Sequence, residues 1–311
     1  MGDVVHALPA VSDMHRARPG MQVDWLVEAA FAAIPRLHPG VRRVLPIQWR
    51  RWRKSLWQRA TRDAMAALRA ELRSESYDLV IDMQGLLLKS VLWGLQARGP
   101  LVGYDSNSAR EPLAALCYQR TARVSRSLQA VERCRRLAAA HLGYAMPHSA
   151  PAFGIVAPDG PWRVEGPSAV LIPNASRPEK LWPEADWIAL GQRLASAGLC
   201  SVVLWGNDDE RARAERIATG CGGRVPPFLT VADMAAVLGR ARQVVGLDTG
   251  FSHLAAALGR PTIGVYCDHD PGLAGITGPG PVASVGGRGQ LPARAEVMVL
   301  LERQLSLDKA R

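Results

Sequence analysis

Val244-Val245-Gly246-Leu247-Asp248-Thr249-Gly250-Phe251-Ser252-His253-Leu254-Ala255-Ala256-Ala257-Leu258-Gly259 reads as a buried strand, a short polar loop and a helix, in that order. An apolar run without alternation is the pattern of a strand covered on both faces, as in a parallel sheet. The helix follows with no linker, so its free backbone N–H groups open into the loop. Such a helix start, with its dipole, suits a diphosphate. Gly250 lets the backbone approach closely, and Thr249 and Ser252 offer hydroxyls. The same residues also suit an ordinary N-cap made by Ser252 or Asp248. The loop by itself leaves both readings open.

The strand–helix alternation repeats on either side. Ala169–Ile172, Ser201–Trp205 and Thr262–Tyr266 read as further buried strands. Glu184–Ala197, Glu210–Ile217, Val231–Ala241 and Ala293–Leu305 read as helices. In the first half, Val23–Val27, Val41–Ile47, Leu79–Met83 and Leu101–Tyr104 read as strands. Val4–Met14, Leu56–Leu72, Leu87–Gln96, Glu111–Arg123 and Ala130–Leu142 carry helical spacing. Between the halves, Phe153–Pro167 is rich in Pro and Gly and lacks periodicity, as a linker does. The expected fold is therefore α/β, with two doubly wound domains over 1–155 and 156–311 whose ligands bind outside the carboxyl ends of the strands. The last helix is expected to pack back on the first domain.

Composition narrows the function classes. With 48% hydrophobic and 21% charged residues the chain is globular rather than disordered. No run of about 18 apolar residues exists to span a bilayer, and Met-Gly-Asp-Val-Val-His is not a secretory start. Five scattered cysteines without a Cys-x-x-Cys pair fit free thiols in a reducing compartment. No histidine or cysteine spacing suggests a metal site, so no metal or cofactor is expected. The formal charge of +10 is lopsided. Residues 1–157 hold 22 Lys/Arg against 12 Asp/Glu, whereas residues 158–311 hold 16 of each. An anionic partner for the first half alone follows: nucleic acid, a membrane surface or an acidic substrate.

Four further segments carry candidate chemistry. Pro173-Asn174-Ala175-Ser176-Arg177-Pro178-Glu179-Lys180-Leu181-Trp182-Pro183 follows a strand, and Lys180 is the only lysine between residues 90 and 308. A compact ammonium there suits a leaving phosphate, though it also fits a solvated loop. Trp205-Gly206-Asn207-Asp208-Asp209-Glu210-Arg211 puts carboxylates at a strand end, suited to ribose hydroxyls or to capping by Asp208, Asp209 and Glu210. Arg50-Arg51-Trp52-Arg53-Lys54, between Trp49 and Trp57, joins four cations to stacking indoles. That run serves an anionic ligand, a nucleic acid or a membrane surface. Arg110 is a weaker companion. Asp3 is a carboxylate ahead of a helix, either a general base or an N-cap.

Taken with Met1-Gly2-Asp3-Val4-Val5-His6-Ala7-Leu8-Pro9, Asp82-Met83-Gln84-Gly85-Leu86, Ala109-Arg110-Glu111-Pro112-Leu113, Lys180-Leu181-Trp182-Pro183 and Asp270-Pro271-Gly272-Leu273, these segments resemble glycosyltransferase family nine over nearly the whole chain. The resemblance implies the GT-B fold, two Rossmann-like domains facing across a cleft, and metal-independent, inverting transfer. It implies L-glycero-D-manno-heptose as the group moved, from ADP-heptose to Kdo of Kdo2-lipid A at the cytoplasmic face of the inner membrane. Asp3 and Lys180 then match the catalytic positions. Ser176, Lys180, Glu210, Asp248, Thr249, Gly250 and His253 match the donor site. Arg50, Arg51, Arg53, Lys54 and Arg110 match acceptor-binding positions.

The basic run and Ala109–Pro112 favour the enzymes that act on Kdo over a second heptosyltransferase or another family-nine acceptor. A basic nucleic-acid-binding protein is the remote alternative, with no protein partner expected in either case. Departures from the family are Ala175 and Ser176 in place of phosphate-loop threonines, and Cys267 in place of a glycine. The family's first strand is also missing ahead of Met1, which is expected to leave Asp3 unanchored and this form poorly active.

Overall fold

The computed structural model describes residues 1–309. The chain divides into two compact units, His6–Ser149 and Ala150–Arg311, the latter counted together with Met1–Val5.

The 6–149 unit carries five short parallel strands in two sheets. β1 (Val23–Glu28) pairs with β2 (Val41–Ile47), and β3 (Val80–Ile81), β4 (Leu101–Tyr104) and β5 (Arg120–Ala122) form a second sheet in that order. The helix Gly2–Ala17 lays Ala7, Ala10 and Met14 against Cys134 and Ala138 of the helix Ala130–Leu142. Beneath that contact the Asp13 carboxylate, with no exposed side-chain surface, pairs with Arg135 at 2.6 Å. The guanidinium also donates through Nη2 to the carbonyls of Pro147 and Ser149.

Helical spacing at Glu111–Arg123 does not produce a helix. The chain makes a 3-10 turn over Pro112–Cys117 and then enters β5. Tertiary contacts override the local pattern. The Tyr118 hydroxyl donates to Asp82 at 2.7 Å, and its ring lies over Gly103, where a Cβ would come within 2.5 Å of it. Leu87–Gln96 is likewise not one regular helix but a π-helical turn, Leu87–Val91, running into Leu92–Gly94.

In the other unit, β6 (Ser168–Ile172), β7 (Cys200–Val203), β8 (Gln243–Leu247), β9 (Thr262–Tyr266) and β10 (Val282–Gly286) form one parallel sheet in the order β10-β9-β8-β6-β7. Every residue of β6, β8 and β9 is buried. The core joins Leu171, Val203, Val245 and Val265 to Trp182, Trp187, Leu190 and Leu194, with Trp182 and Trp187 in an edge contact at 5.3 Å. The last helix, Arg294–Lys309, packs Val297 and Leu301 into this core against β9 and β10. Strand order reverses between β6 and β8: the chain goes out from β6 to β7, then returns to lay β8 on the other side of β6. Such a reversal parts the two following loops at the carboxyl edge, where open α/β sheets bind ligands.

Candidate active site

The loops after β6 and β8 leave adjacent strands at that reversal, and their charged side chains meet. Lys180 Nζ donates to Asp248 Oδ2 at 2.7 Å, with 17% and 15% of the two side chains exposed. His253 Nε2 lies 3.7 Å from the other carboxylate oxygen, an ion-pair distance longer than a hydrogen bond. Burial alone would raise the Asp248 carboxyl. The His253 and Lys180 contacts outweigh it and hold the group well below the usual carboxylate range. Asp248 is therefore a fixed anion that aims the ammonium of Lys180.

The helix Gly250–Ala257 starts at this pair. Thr249, in extended conformation, is its N-cap residue, yet its hydroxyl makes no capping bond. Thr249 Oγ1 is buried and has no hydrogen-bond partner among the described residues. Neither Ser252 nor Asp248 caps the helix. Ser252 is fully buried, its hydroxyl donating back to Leu247 O at 2.6 Å, so it is not available to a ligand. The helix start thus presents free N–H groups, an unengaged threonine hydroxyl and a held lysine. That is the chemistry of a diphosphate cradle.

Asp3 lies in the first turn of the helix Gly2–Ala17 and is not left unanchored. Val4 N donates to Met1 O at 2.9 Å, and Met1 packs on the cradle itself. A Cβ on Gly250 would fall 2.5 Å from Met1 Cβ, so glycine is what allows this approach. Asp3, expected to act as base, is two residues along the chain from Met1, which packs on Gly250.

Other expected donor residues stand farther along the same sheet edge. Glu210 follows β7. Its Oε2 accepts from Gly206 N at 2.8 Å, and the helix Asp208–Cys221 is capped by Asn207 rather than by Asp208, Asp209 or Glu210. Ser176 is exposed on the Lys180 loop. Cys267 is buried, and burial pushes its thiol up to about 11, so it holds no thiolate at neutral pH. Beyond it, a cavity of about 750 Å3 opens at the carboxyl ends of β9 and β10, lined by Arg177, Asp268, His269, Arg288 and Gln290. Sequence reasoning missed this cavity because β10 was not recognised.

The expected acceptor residues lie in the 6–149 unit. Trp49–Trp52 form a helical turn whose indoles pack on Trp93, with ring centres 6.3 and 5.3 Å away. The turn is tied down by Arg50 N, which donates to Glu28 at 3.3 Å, and by the Arg50 guanidinium 5.4 Å over the Phe31 ring. Arg50, Arg51, Arg53 and Lys54 are exposed. Arg110 follows Ala109, against which Gly85 packs in left-handed conformation, and Glu111 N donates to Gly85 O. Asp82 holds that loop by accepting from Gln84 N and Gly85 N.

The parallel-sheet units, with Lys180, Asp248 and a helix start meeting at a strand-order reversal, match glycosyltransferases of GT-B architecture among solved structures. The chain belongs to glycosyltransferase family 9, the heptosyltransferases, whose model matches residues 65–298. It is 42% identical to lipopolysaccharide heptosyltransferase 1 of Pseudomonas aeruginosa, over 89% of this chain and 79% of that protein. It is 40% identical to the protein of the same name from Escherichia coli K12, over 99% and 96%. Among solved structures it superposes on E. coli heptosyltransferase WaaC with ADP at a TM-score of 0.89, with 39% identity and 98% and 97% of the two chains covered.

Proposed function

We propose that this enzyme moves L-glycero-D-manno-heptose from ADP-heptose to Kdo of Kdo2-lipid A, in lipopolysaccharide inner-core synthesis at the cytoplasmic face of the inner membrane. The observation that carries the reading is the Lys180–Asp248–His253 cluster at the start of the Gly250 helix. Similarity to lipopolysaccharide heptosyltransferases along the chain, and to WaaC solved with ADP and with ADP-2-deoxy-2-fluoro heptose, supports it.

The 156–311 domain holds the donor. The diphosphate lies on the helix start, with Thr249, Gly250 and Lys180 contacting it, Ser176 adding a hydroxyl and Glu210 taking the ribose. The 1–155 domain holds the acceptor, whose carboxylates and phosphates face Arg50, Arg51, Arg53, Lys54 and Arg110. Asp3 takes the proton from an acceptor hydroxyl. That oxygen bonds to the anomeric carbon while the bond to the diphosphate oxygen breaks from the opposite face, so configuration inverts. ADP departs with the electron pair, its charge met by Lys180 and the helix N–H groups.

The test is acceptor choice. ADP-heptose is incubated with Kdo2-lipid A, and separately with the same lipid already carrying one heptose. Transfer to the first alone is expected. Transfer confined to the second would place the enzyme one step later.

A further inference from the structure

We infer that the 6–149 unit carries a docking surface for an anionic lipid bilayer, made of exposed apolar side chains that hold no part of the acceptor and that adjoin its basic segments. The inference rests on the proposed lipid-borne acceptor and names the surface that brings the enzyme to it.

Two elements of this unit present apolar side chains to solvent. On the 3-10 turn Pro112–Cys117, Leu113 and Leu116 are 63% and 82% exposed. Side chains three apart on a 3-10 turn eclipse one another, so the two leucines form one ridge. The turn packs against Leu87–Val91, and Glu111 accepts from Leu87 N at 2.6 Å. That second element leaves Leu88 66% exposed, and Leu95 beyond it is 52% exposed. The inward residues of both elements, Val91, Ala114 and Tyr118, share a core with Leu101. The leucines are therefore surplus to packing. Trp57 is 92% exposed, on the segment after the turn whose Trp49 and Trp52 stack on Trp93. Trp93 itself follows Leu88 and Lys89 in the chain, so the cationic turn and the leucine-bearing element share one scaffold.

The charge around these residues selects the occupant. Residues 48–62 hold six arginines and lysines and no carboxylate. Lys89, Arg110, Arg120 and Arg123 flank the leucines, all exposed. Glu111, the carboxylate beside Leu113 in the chain, is engaged by the backbone. No helix among the described residues is long and apolar enough to cross a membrane. Exposed apolar side chains and an indole on segments rich in exposed cations match the interface of an anionic bilayer: leucine and tryptophan enter the headgroup boundary while arginine and lysine meet lipid phosphates.

The experiment uses the full chain and vesicles free of acceptor, made of phosphatidylcholine with or without phosphatidylglycerol. The Leu113→Ser/Leu116→Ser double variant and Trp57→Ser are compared with wild type by co-sedimentation. Each is also assayed on a soluble acceptor stripped of its acyl chains. Wild type binds the phosphatidylglycerol vesicles and is released by salt. The double variant loses binding by about tenfold or more, Trp57→Ser by severalfold, and both turn over the soluble acceptor as wild type does. Three results would overturn the proposal: unchanged vesicle binding by both variants, equal wild-type binding to phosphatidylcholine alone, or a wild-type dimer that the double variant splits, which makes the patch a self-interface. Failure of wild type to use the soluble acceptor counts against the proposed function instead, and leaves the vesicle result to stand by itself.

Discussion

Asp248→Asn keeps the shape of the side chain and removes its charge. Asp248 accepts from Lys180 at 2.7 Å and faces His253 at 3.7 Å, with little of it exposed. The Lys180 ammonium keeps its charge and can still donate to the amide oxygen, so the exchange loses the carboxylate's share of a charge-assisted bond, about 1–2 kcal/mol. For a domain the size of the Ala150–Arg311 unit, each kcal/mol lowers the melting temperature by about 2–4 °C. The pH dependence has a definite sign. The folded carboxyl lies below its ordinary 3.8, so its stabilisation is complete above that value and is lost as pH falls through the folded value. In urea titrations followed by tryptophan fluorescence, the gap between wild type and variant should be constant from neutral pH to about pH 5 and shrink below about pH 4. No gap at neutral pH, or a gap that widens in acid, would refute the reasoning.

Arg135→Ala leaves Asp13 buried without its partner and should cost about 3–5 kcal/mol in urea unfolding; a loss under about 1 kcal/mol would contradict the buried-pair account. Burial, helped by the charge of His15, lowers His38 from 6.5 to about 4, so the fold holds its neutral ring between Ser12 and Gly40 N. Its stabilisation is full above pH 6.5 and falls away toward pH 4, by about 3 kcal/mol at most. His38→Gln should flatten the slope of urea midpoints over that range, and an equal slope in both proteins would rule His38 out as its source. Thr249→Val removes a buried hydroxyl that makes no internal bond. Melting temperature should hold or rise while calorimetric ADP affinity drops about fivefold, as for one lost hydrogen bond of about 1 kcal/mol; parallel losses in both would mean that the hydroxyl serves the fold.

Much of the fold was legible because strands buried on both faces leave an unbroken apolar run, as Leu101–Tyr104 and Thr262–Tyr266 do. Val41–Ile47, half-buried and interrupted by Arg42 and Arg43, still matches its expected bounds. Two strands lacked that mark. Arg120–Ala122 is short and largely exposed, and Val282–Gly286 is interrupted by Ala283, Ser284 and its closing glycine. With β10 unseen, the cavity beside it was unseen too. At the site, Lys180 stood out as an isolated lysine and Asp248 as the end of a strand. Their contact spans 68 residues and depends on which strands are neighbours, which no local pattern records. The Ser252 hydroxyl went the other way: it looked available but turns inward to Leu247 O. The Asp13–Arg135 pair, 122 residues apart, left no trace in either helix pattern.

The central claim is that Asp3, carried on the turn that packs against Gly250, is the base of the transfer. Heptosylated Kdo2-lipid A is quantified by mass spectrometry after incubation with ADP-heptose and either wild type or Asp3→Ala, with ADP affinity measured on the same samples. Wild type should add one heptose, and Asp3→Ala should lose about 10²–10⁴-fold in rate, as for a removed general base, with ADP affinity unchanged. Turnover by Asp3→Ala at a rate near that of wild type would contradict the account.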